Sequence, residues 1–244
     1  MVPGPFSVGG KSGLRGAGRL EIAGMEPKAI SIRVGDESVS GLFLRPPDAK
    51  ALYLFAHGAG AGMTHKAMTG NAEGLAERGI ATLRYNFPYM EKGSKRPDSP
   101  KVAHAAVRAA ASKAVELAPE LPLFAGGRSF GGRMTSQAQA GDPLPGVRGL
   151  IFLGFPLHPA GKPGIERADH LANVRVPMLF VSGTRDALAE VDLLRPVVAN
   201  LGSHAKIHLV DRADHSFKVA AKSGRTNADA EAEVLDAVVR WISG

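Results

Sequence analysis

The chain has 244 residues, of which 44% are hydrophobic and 22% charged, with a formal net charge of +7 and no cysteine. It is long enough to bury one sizeable core and short for two full domains, and the lack of cysteine excludes disulfides, thiolate metal sites and cysteine nucleophiles. No basic helix or basic–aromatic stripe concentrates the charge, so a solvated basic surface is a better interpretation than a nucleic-acid interface, and the composition suits a cytoplasmic protein.

The first segment, residues 1–24, is rich in glycine and carries Lys11, Arg15 and Arg19 against Glu21. It has no continuous apolar stretch of the kind that marks a secretory signal peptide. Nowhere in the chain do apolar residues approach the roughly 20 that span a bilayer. We interpret residues 1–24 as a flexible extension, with a transit peptide as the alternative, and predict that one folded domain covers residues 25–244.

From residue 25 onward, short β-type segments alternate with helical patterns. Ile30–Val34 and Val39–Leu44 flank Gly35-Asp36 and predict an antiparallel hairpin, and the wholly apolar segment Ala51–Ala56 predicts a strand buried on both faces. Further strands are predicted at residues 80–85, 121–125, 147–153, 177–182 and 207–210. Strands separated by helices favour right-handed βαβ units, so we expect an α/β fold with a mostly parallel sheet covered by helices on both faces.

Four helices are predicted between and after these strands. One has apolar residues at helical spacing from Met68 to Ala76 and ends at Gly79; another runs from Pro100 to about Leu117 behind Ser99 as N-cap. A third follows Ser129. The last is amphipathic, with one apolar face made of Val234, Leu235, Val238, Val239 and Ile242.

The most informative motif is Gly127-Arg128-Ser129-Phe130-Gly131, which fits G-x-S-x-G and follows the short apolar segment 121–125. A serine in this pattern lies at a sharp strand-to-helix turn that exposes its hydroxyl, and the glycines avoid collisions with the neighbouring strand and helix. A glycine-rich turn that merely contains a serine is the alternative. In its strand–turn–helix context we predict that Ser129 is a nucleophile.

A serine nucleophile needs a base and an orienting carboxylate at the same edge of the sheet. Asp186 follows the strand predicted at 177–182, and His215 follows the one predicted at 207–210, just before the last helix. We therefore predict Asp186 as the acid and His215 as the base. Other candidates for these two roles are weaker, and they are Asp192, Asp211, Asp214, His204 and His208.

Acyl transfer also needs donors for an oxyanion. The backbone N–H of Phe130 opens the helix after Ser129, where the helix dipole favours negative charge. A second donor is expected from the small-residue loop His57-Gly58-Ala59-Gly60-Ala61-Gly62, with Ala59 as the candidate. His57 itself is interpreted as a structural residue that braces this turn.

Taken together, these segments resemble the α/β-hydrolase superfamily, in which the triad follows the chain order serine, acid, histidine. The chain is similar to dienelactone-hydrolase-like members, closest to a testis-expressed hydrolase-like family and its bacterial relatives. The matching segments are His57–Gly60, Gly126–Gly131, Gly154–Pro159, Phe180–Asp186 and Asp214–Phe217. The resemblance implies Ser129, His215 and Asp186 as nucleophile, base and acid. True dienelactone hydrolases carry a cysteine nucleophile, which puts that particular substrate in doubt.

The function expected from this pattern is hydrolysis of a small or medium carboxylic ester or thioester through an acyl-enzyme. The alternative is a non-catalytic hydrolase-fold scaffold that binds a partner. We expect no metal or other cofactor, no nucleic acid and no membrane, only a small-molecule acyl substrate. The stretch from Gly154 to Val176 is too short for a large lid domain. Basic loop residues could favour an anionic substrate, although ordinary solvated charge is the better explanation for them, and they are Lys92, Lys95, Arg96, Lys162 and Arg167.

Overall fold

The structure, a computed structural model, describes residues 25–244. The predicted extension at residues 1–24 lies outside the described residues. The central element is an eight-stranded sheet with the strand order β1-β2-β4-β3-β5-β6-β7-β8. The strands are β1 Lys28–Val34, β2 Glu37–Leu44, β3 Ala51–Ala56, β4 Ile80–Tyr85, β5 Leu123–Arg128, β6 Val147–Leu153, β7 Met178–Gly183 and β8 Ala205–Val210.

Strand directions follow the predicted pattern. The first two strands form the antiparallel hairpin expected around Gly35, and β2 also pairs antiparallel with β4. All pairings from β4 through β8 are parallel. The predicted α/β fold with a mostly parallel sheet is therefore confirmed.

Six α-helices flank the sheet among the described residues. They are α1 Lys66–Ala76, α2 Pro88–Glu91, α3 Pro100–Leu117, α4 Phe130–Gly141, α5 Val191–Asn200 and α6 Asn227–Ile242. Three 3₁₀ segments add to them at Glu166–Asn173, Gly202–His204 and Ala221–Ser223. Beyond the four predicted helices, the structure contains α2, α5 and the 3₁₀ segment Glu166–Asn173. Neither α2 nor the 3₁₀ segment presents an apolar repeat long enough to indicate a helix, and Pro196 interrupts the helical pattern of α5.

Two hydrophobic clusters lie on opposite faces of the sheet. Strand β3 shows the division: Leu52 and Leu54 contact the cluster under α3, α4 and α5, whereas Tyr53 and Phe55 contact the cluster under α1 and α6. Because side chains alternate along a strand, a wholly apolar strand packs against both layers. All six residues of β3 are buried, which confirms the prediction for this segment.

The strand before Ser129 differs from the prediction. The apolar stretch 121–125 suggested its limits, but β5 runs from Leu123 to Arg128. Pro122 has no N–H for a sheet ladder, whereas the glycines 126 and 127 are extended and pair with both β3 and β6. Strand β5 therefore continues to the residue before Ser129.

The connection from β6 to β7 contains only the 3₁₀ segment Glu166–Asn173 and loops. No lid domain covers the carboxyl edge of the sheet in the described part of the chain, as predicted from the length of this connection. Among residues 25–244 there is also no helix that combines the length and the apolar character needed to cross a membrane.

Candidate active site

Ser129 occupies the turn between β5 and α4. Its backbone has φ 47° and ψ −114°, and it is one of three non-glycine residues with positive φ in the described chain. Such a conformation costs of the order of 1–3 kcal/mol and persists only where the surroundings fix it. The Ser129 N–H donates to the carbonyl of Leu153 on β6, and its own carbonyl accepts from the N–H of Arg133. Both hydrogen bonds hold the turn.

Glycines at this turn permit a close approach of three backbones. A Cβ on Gly127 would overlap the Ala56 carbonyl of β3. A Cβ on Gly131 would lie 2.5 Å from the carbonyl oxygen of His57 and 2.7 Å from that of Ala56. Any side chain here would therefore separate the elbow from the end of β3. These contacts agree with the collisions expected from the motif.

The structure brings Ser129, His215 and Asp186 together. The Nε2 atom of His215 lies 2.9 Å from the Oγ of Ser129, and its Nδ1 lies 2.9 Å and 2.8 Å from the two carboxylate oxygens of Asp186. Asp186 is only 2% exposed, while Ser129 and His215 are half-buried. The three residues follow β5, β8 and β7, so the parallel sheet delivers all of them to its carboxyl edge.

Asp186 is fixed by its own loop. Its Oδ1 accepts the N–H of Leu188 at 2.8 Å, and its backbone N–H donates to Gly183 at the end of β7. Oriented in this way, the carboxylate faces the Nδ1 of His215. It is placed to hold the imidazole with a proton on Nδ1 and a lone pair on Nε2 toward the serine.

The other aspartates and histidines considered for the acid and base roles make contacts away from Ser129. Asp214 accepts the N–H groups of Ser216 and Lys218 and so closes a turn in its own loop. Asp192 lies in α5, and Asp211 faces Thr184. His204 belongs to a 3₁₀ segment before β8, and His208, inside β8, contacts Glu233 of α6. None of these five side chains contacts Ser129 in the part of the chain that the structure describes.

His57 braces the loop after β3, as expected. The N–H of Phe87 donates to its Nε2 at 3.1 Å, so the proton lies on Nδ1, which donates to the carbonyl of Gly58 at 2.8 Å. Burial lowers the pKa of His57 to about 4, so the ring is neutral at pH 7. The carbonyl of Gly58 and the N–H of Ala59 belong to one trans peptide, in which the C=O and N–H bonds point in opposite directions. The hydrogen bond that fixes the Gly58 carbonyl therefore also fixes the direction of the Ala59 N–H.

A cleft of about 460 Å³ opens at Ser129. Ala59 and Phe130, the two predicted oxyanion donors, both line it, together with residues from the α2–α3 loop, α4 and the β6–β7 connection. We call it the Ser129 cleft, and its lining consists of Ala59, Pro97, Asp98, Ser129, Phe130, Arg133, Pro156, His158, Pro159, Ala160, Arg167 and Leu188. Its size is within the range of small-molecule sites.

Three cleft-side residues were missed by sequence reasoning. Tyr89, in α2, accepts the N–H of Gly60 through its hydroxyl and packs edge-on against Phe130. Arg133 lies one turn after Ser129 in α4, and this i+4 spacing could have revealed it. His158 gave no comparable pattern, because a single histidine in a proline-rich loop predicts no partner.

His158 is buried in the cleft wall. Its Nδ1 lies 2.9 Å from the carbonyl of Pro159, and its Nε2 lies 2.5 Å from a carboxylate oxygen of Glu190. Burial alone would lower the pKa of His158, but the hydrogen bonds to Pro159 and Glu190 raise it overall. Both ring nitrogens face acceptors, so the ring is best satisfied as an imidazolium. The pair ties the β6–β7 connection to the start of α5.

Of the basic loop residues considered for an anionic substrate, only Arg167 lines the Ser129 cleft. Lys92 instead forms an exposed ion pair with Glu37. A second, larger cleft of about 820 Å³ lies between α1, α6 and the loop after His215, but none of the three triad residues lines it. The Ser129 cleft is therefore the one in which a substrate would meet the triad.

Known structures with this architecture come from several bacteria. A dienelactone hydrolase from Anabaena variabilis ATCC 29413 is 21% identical, with a TM-score of 0.72 over 90% of this chain and 97% of that one. A serine hydrolase without a lid from Xanthomonas campestris is 21% identical, with a TM-score of 0.68 over 88% and 95% of the two chains. An esterase domain from Rhodothermus marinus is 20% identical, with a TM-score of 0.66 over 89% and 98%. At these identities the likeness establishes the fold.

A family model described as "Alpha/beta hydrolase domain" matches residues 49–243, which is most of the chain and includes every residue of the Ser129–His215–Asp186 arrangement. The predicted resemblance to dienelactone-hydrolase-like α/β-hydrolases is confirmed at this level. The closer kinship with a testis-expressed hydrolase-like family stays a prediction. The chain belongs to the alpha/beta hydrolase domain family.

Proposed function

We propose that the protein is a serine hydrolase that cleaves a small or medium carboxylic ester or thioester through an acyl-enzyme. The observation that carries the proposal is the continuous hydrogen-bonded chain from the Ser129 hydroxyl through His215 to the buried carboxylate of Asp186. A binding scaffold has no physical need for this arrangement at the mouth of a cleft. The geometry therefore favours catalysis over the scaffold alternative.

The first step is attack of the Ser129 Oγ on the substrate carbonyl carbon. The Nε2 of His215 accepts the hydroxyl proton as the new C–O bond forms, and Asp186 stabilises the resulting imidazolium. When the tetrahedral intermediate collapses, the imidazolium returns this proton to the departing alcohol or thiol. Water then attacks the acyl-enzyme with His215 as base again, and the acid leaves as Ser129 regains its proton.

Two backbone N–H groups are proposed to hold the oxyanion. The N–H of Phe130 is the first of α4 and has no acceptor within the helix. The N–H of Ala59 makes no hydrogen bond within the described residues, and His57 fixes its peptide through the Gly58 carbonyl. Loss of one such donor costs about 3–4 kcal/mol of transition-state stabilisation in a related chemistry. His57 thus acts on the chemistry only by positioning Ala59.

A fluorophosphonate probe tests the proposal, since it labels activated serines. We expect labelling of the wild-type protein and none of Ser129→Ala. Ser94→Ala, which removes an exposed hydroxyl outside the Ser129 cleft, is the matched control and should label normally. Equal labelling of wild type and Ser129→Ala would contradict the proposed serine hydrolase function. A panel of 4-nitrophenyl esters, acyl thioesters and lactones then identifies the acyl and leaving groups.

A further inference from the structure

Two arginines line the Ser129 cleft. Arg133 projects from α4 one turn beyond Ser129, and Arg167 comes from the 3₁₀ segment Glu166–Asn173 that packs on α4. Helical side chains lean toward the N-terminus of their helix, which in α4 is the end that carries Ser129. Both half-buried guanidinium groups therefore belong to the space in which a substrate would meet the serine.

Neither arginine has an ionic partner within the described residues. Ten ion pairs are formed there, and neither Arg133 nor Arg167 takes part in any of them. The Nε of Arg133 is buried and lacks any hydrogen-bond acceptor. Buried N–H groups normally have an acceptor, and this one belongs to a side chain that lines a cleft, where a bound molecule can supply acceptors to the guanidinium.

The other charges at the cleft do not supply that acceptor. Asp98 lines the cleft, but one of its oxygens accepts the N–H of Tyr89, and it forms no ion pair among residues 25–244. Glu190 is engaged with His158. Arg133 and Arg167 line the same cleft, and burial together with the positive charge of Arg167 lowers the pKa of the Arg133 guanidinium. A bound anion would relieve this repulsion.

We propose that Arg133 and Arg167 form an anion subsite and that the substrate is an ester or thioester whose acyl part bears a carboxylate. The inference rests on the proposed hydrolase function and adds the substrate class. A planar guanidinium matches a carboxylate with two parallel hydrogen bonds, and the N-terminus of α4 adds a favourable field. Arg167 is one of the five basic loop residues that the sequence suggested for this role, whereas Arg133 belongs to the helix after Ser129 and was not among them.

The test compares 4-nitrophenyl monoesters of glutaric, adipic and pimelic acid with the same compounds capped as methyl esters. Each pair differs only in whether the far end is charged. We expect the charged member of at least one pair to have the higher kcat/KM at low salt. The preference should shrink as salt is added, because screening weakens the attraction between partly exposed charges.

Arg133→Gln should lower the charged-to-neutral ratio of kcat/KM roughly ten- to a hundredfold, the range typical of a hydrogen bond to a charged group. Arg167→Gln provides a second test on a different element, should the helix variant fold poorly. The double variant should lose the preference altogether. Arg175→Gln makes the same substitution at an exposed arginine outside the cleft lining, and should keep the wild-type ratio.

Failure of this inference is distinguishable from failure of the proposed function. If Ser129 is required for turnover and both ester types react at equal rates, the proposed hydrolase function stands and the anion subsite is refuted. If no ester is turned over, calorimetric binding of monomethyl adipate to Ser129→Ala decides the point. Binding that Arg133→Gln abolishes supports the subsite, and absence of binding contradicts it. Glutarate and inorganic phosphate can each be tested as competitors of the charged ligand. If phosphate competes more strongly than glutarate, the assignment of a carboxylate to this subsite is wrong.

Discussion

Strain at Ser129 is held in place by close backbone contacts. Ser129 has a positive φ. Two residues later, Gly131 packs so closely against the carbonyls of Ala56 and His57 that no Cβ would fit. This contact places the N-terminus of α4 beside the loop that carries Ala59. The same packing thus exposes the hydroxyl and sets the spacing between the two proposed oxyanion donors.

Substitution Gly131→Ala tests that spacing. The new methyl group would lie 2.5 Å from the His57 carbonyl oxygen, so α4 and the end of β3 must move apart. We expect a loss of about 1–3 kcal/mol in the free energy of unfolding and a decrease of about a hundredfold in the rate of fluorophosphonate labelling. Urea unfolding and timed labelling measure the two effects.

Gly141→Ala is the control, because it lies in the same helix with no heavy atom within 4 Å of its added Cβ. It should keep normal labelling and gain up to about 1 kcal/mol of stability, as alanine has the higher helix propensity. Similar labelling rates for the two variants would show that Gly131 does not set the geometry.

Neutral His57 links stability to pH. Its pKa is lowered by burial to about 4 in the folded protein, against about 6.5 in an unfolded chain. Between these values the unfolded state binds the extra proton, so stability is full above about pH 6.5 and is lost as the pH falls toward 4, with a slope of up to about 1.4 kcal/mol per pH unit. His57→Gln removes this titration and should make the slope shallower, while His170, whose pKa burial also lowers to about 4, keeps its own contribution.

Urea unfolding at intervals between about pH 7 and pH 4.5 measures both proteins. The variant will also be less stable at neutral pH, because the hydrogen bonds to Gly58 and Phe87 change. The informative quantity is therefore the slope and not the absolute stability. Parallel curves would show that His57 contributes nothing to the acid sensitivity.

Among the helices, α6 has the best-defined beginning. The hydroxyl of Thr226 accepts the N–H of Asp229, and the Asp229 carboxylate accepts the N–H of Thr226, which completes a capping box. Asn227, the first helical residue, accepts the N–H of Val219 in the segment that follows His215. The start of α6 therefore supports the loop that presents the proposed base.

Thr226→Ala should cost about 1 kcal/mol in the free energy of unfolding, the usual value of an N-cap. Ser99→Ala is its matched control, since Ser99 also occupies an N-cap position, at α3, but its side chain makes no capping hydrogen bond. The control should change stability by no more than about 0.5 kcal/mol. Urea denaturation of both variants checks the difference, and equal losses would refute it.

Sequence patterns predicted most of these elements because the sheet is buried on both faces. Strand β3 reads as an unbroken apolar run, and α3 begins at Pro100 as its cap pattern indicates. Positions at strand ends also suggested Asp186 and His215. Arg133 was missed because the G-x-S-x-G motif ends at Gly131. One turn of α4 brings Arg133 back to the side of the helix that lines the Ser129 cleft. His158 depends on Glu190, 32 residues away, which no local pattern reveals.

At the scale of the whole molecule, the sheet edge stays open above the serine. The β6–β7 connection contributes only the 3₁₀ segment Glu166–Asn173 and loops to the cleft wall, and Ser129 remains half-buried. Substrate therefore reaches the hydroxyl without displacing a helical cover. The proposed hydrolase should therefore need no lipid–water interface to become active.

This openness predicts simple saturation kinetics on 4-nitrophenyl butyrate, with no increase in rate when detergent micelles or an ester emulsion form. The physical reason is that no cover needs an interface to open it. Initial rates measured across the critical micelle concentration check the expectation, with Ser129→Ala subtracted as background. A sharp activation at that concentration would contradict it.

The distances along the chain between the triad residues have a consequence for the timing of assembly. Ser129 and His215 are 86 residues apart in sequence, and Asp186 precedes His215 by 29. At a synthesis rate of about 5–20 residues per second, several seconds separate the emergence of the elbow from that of the histidine. In a nascent chain, Ser129 therefore emerges long before His215, its proposed base. In refolding, too, recovery of activity would report the docking of β8 at the sheet's last edge.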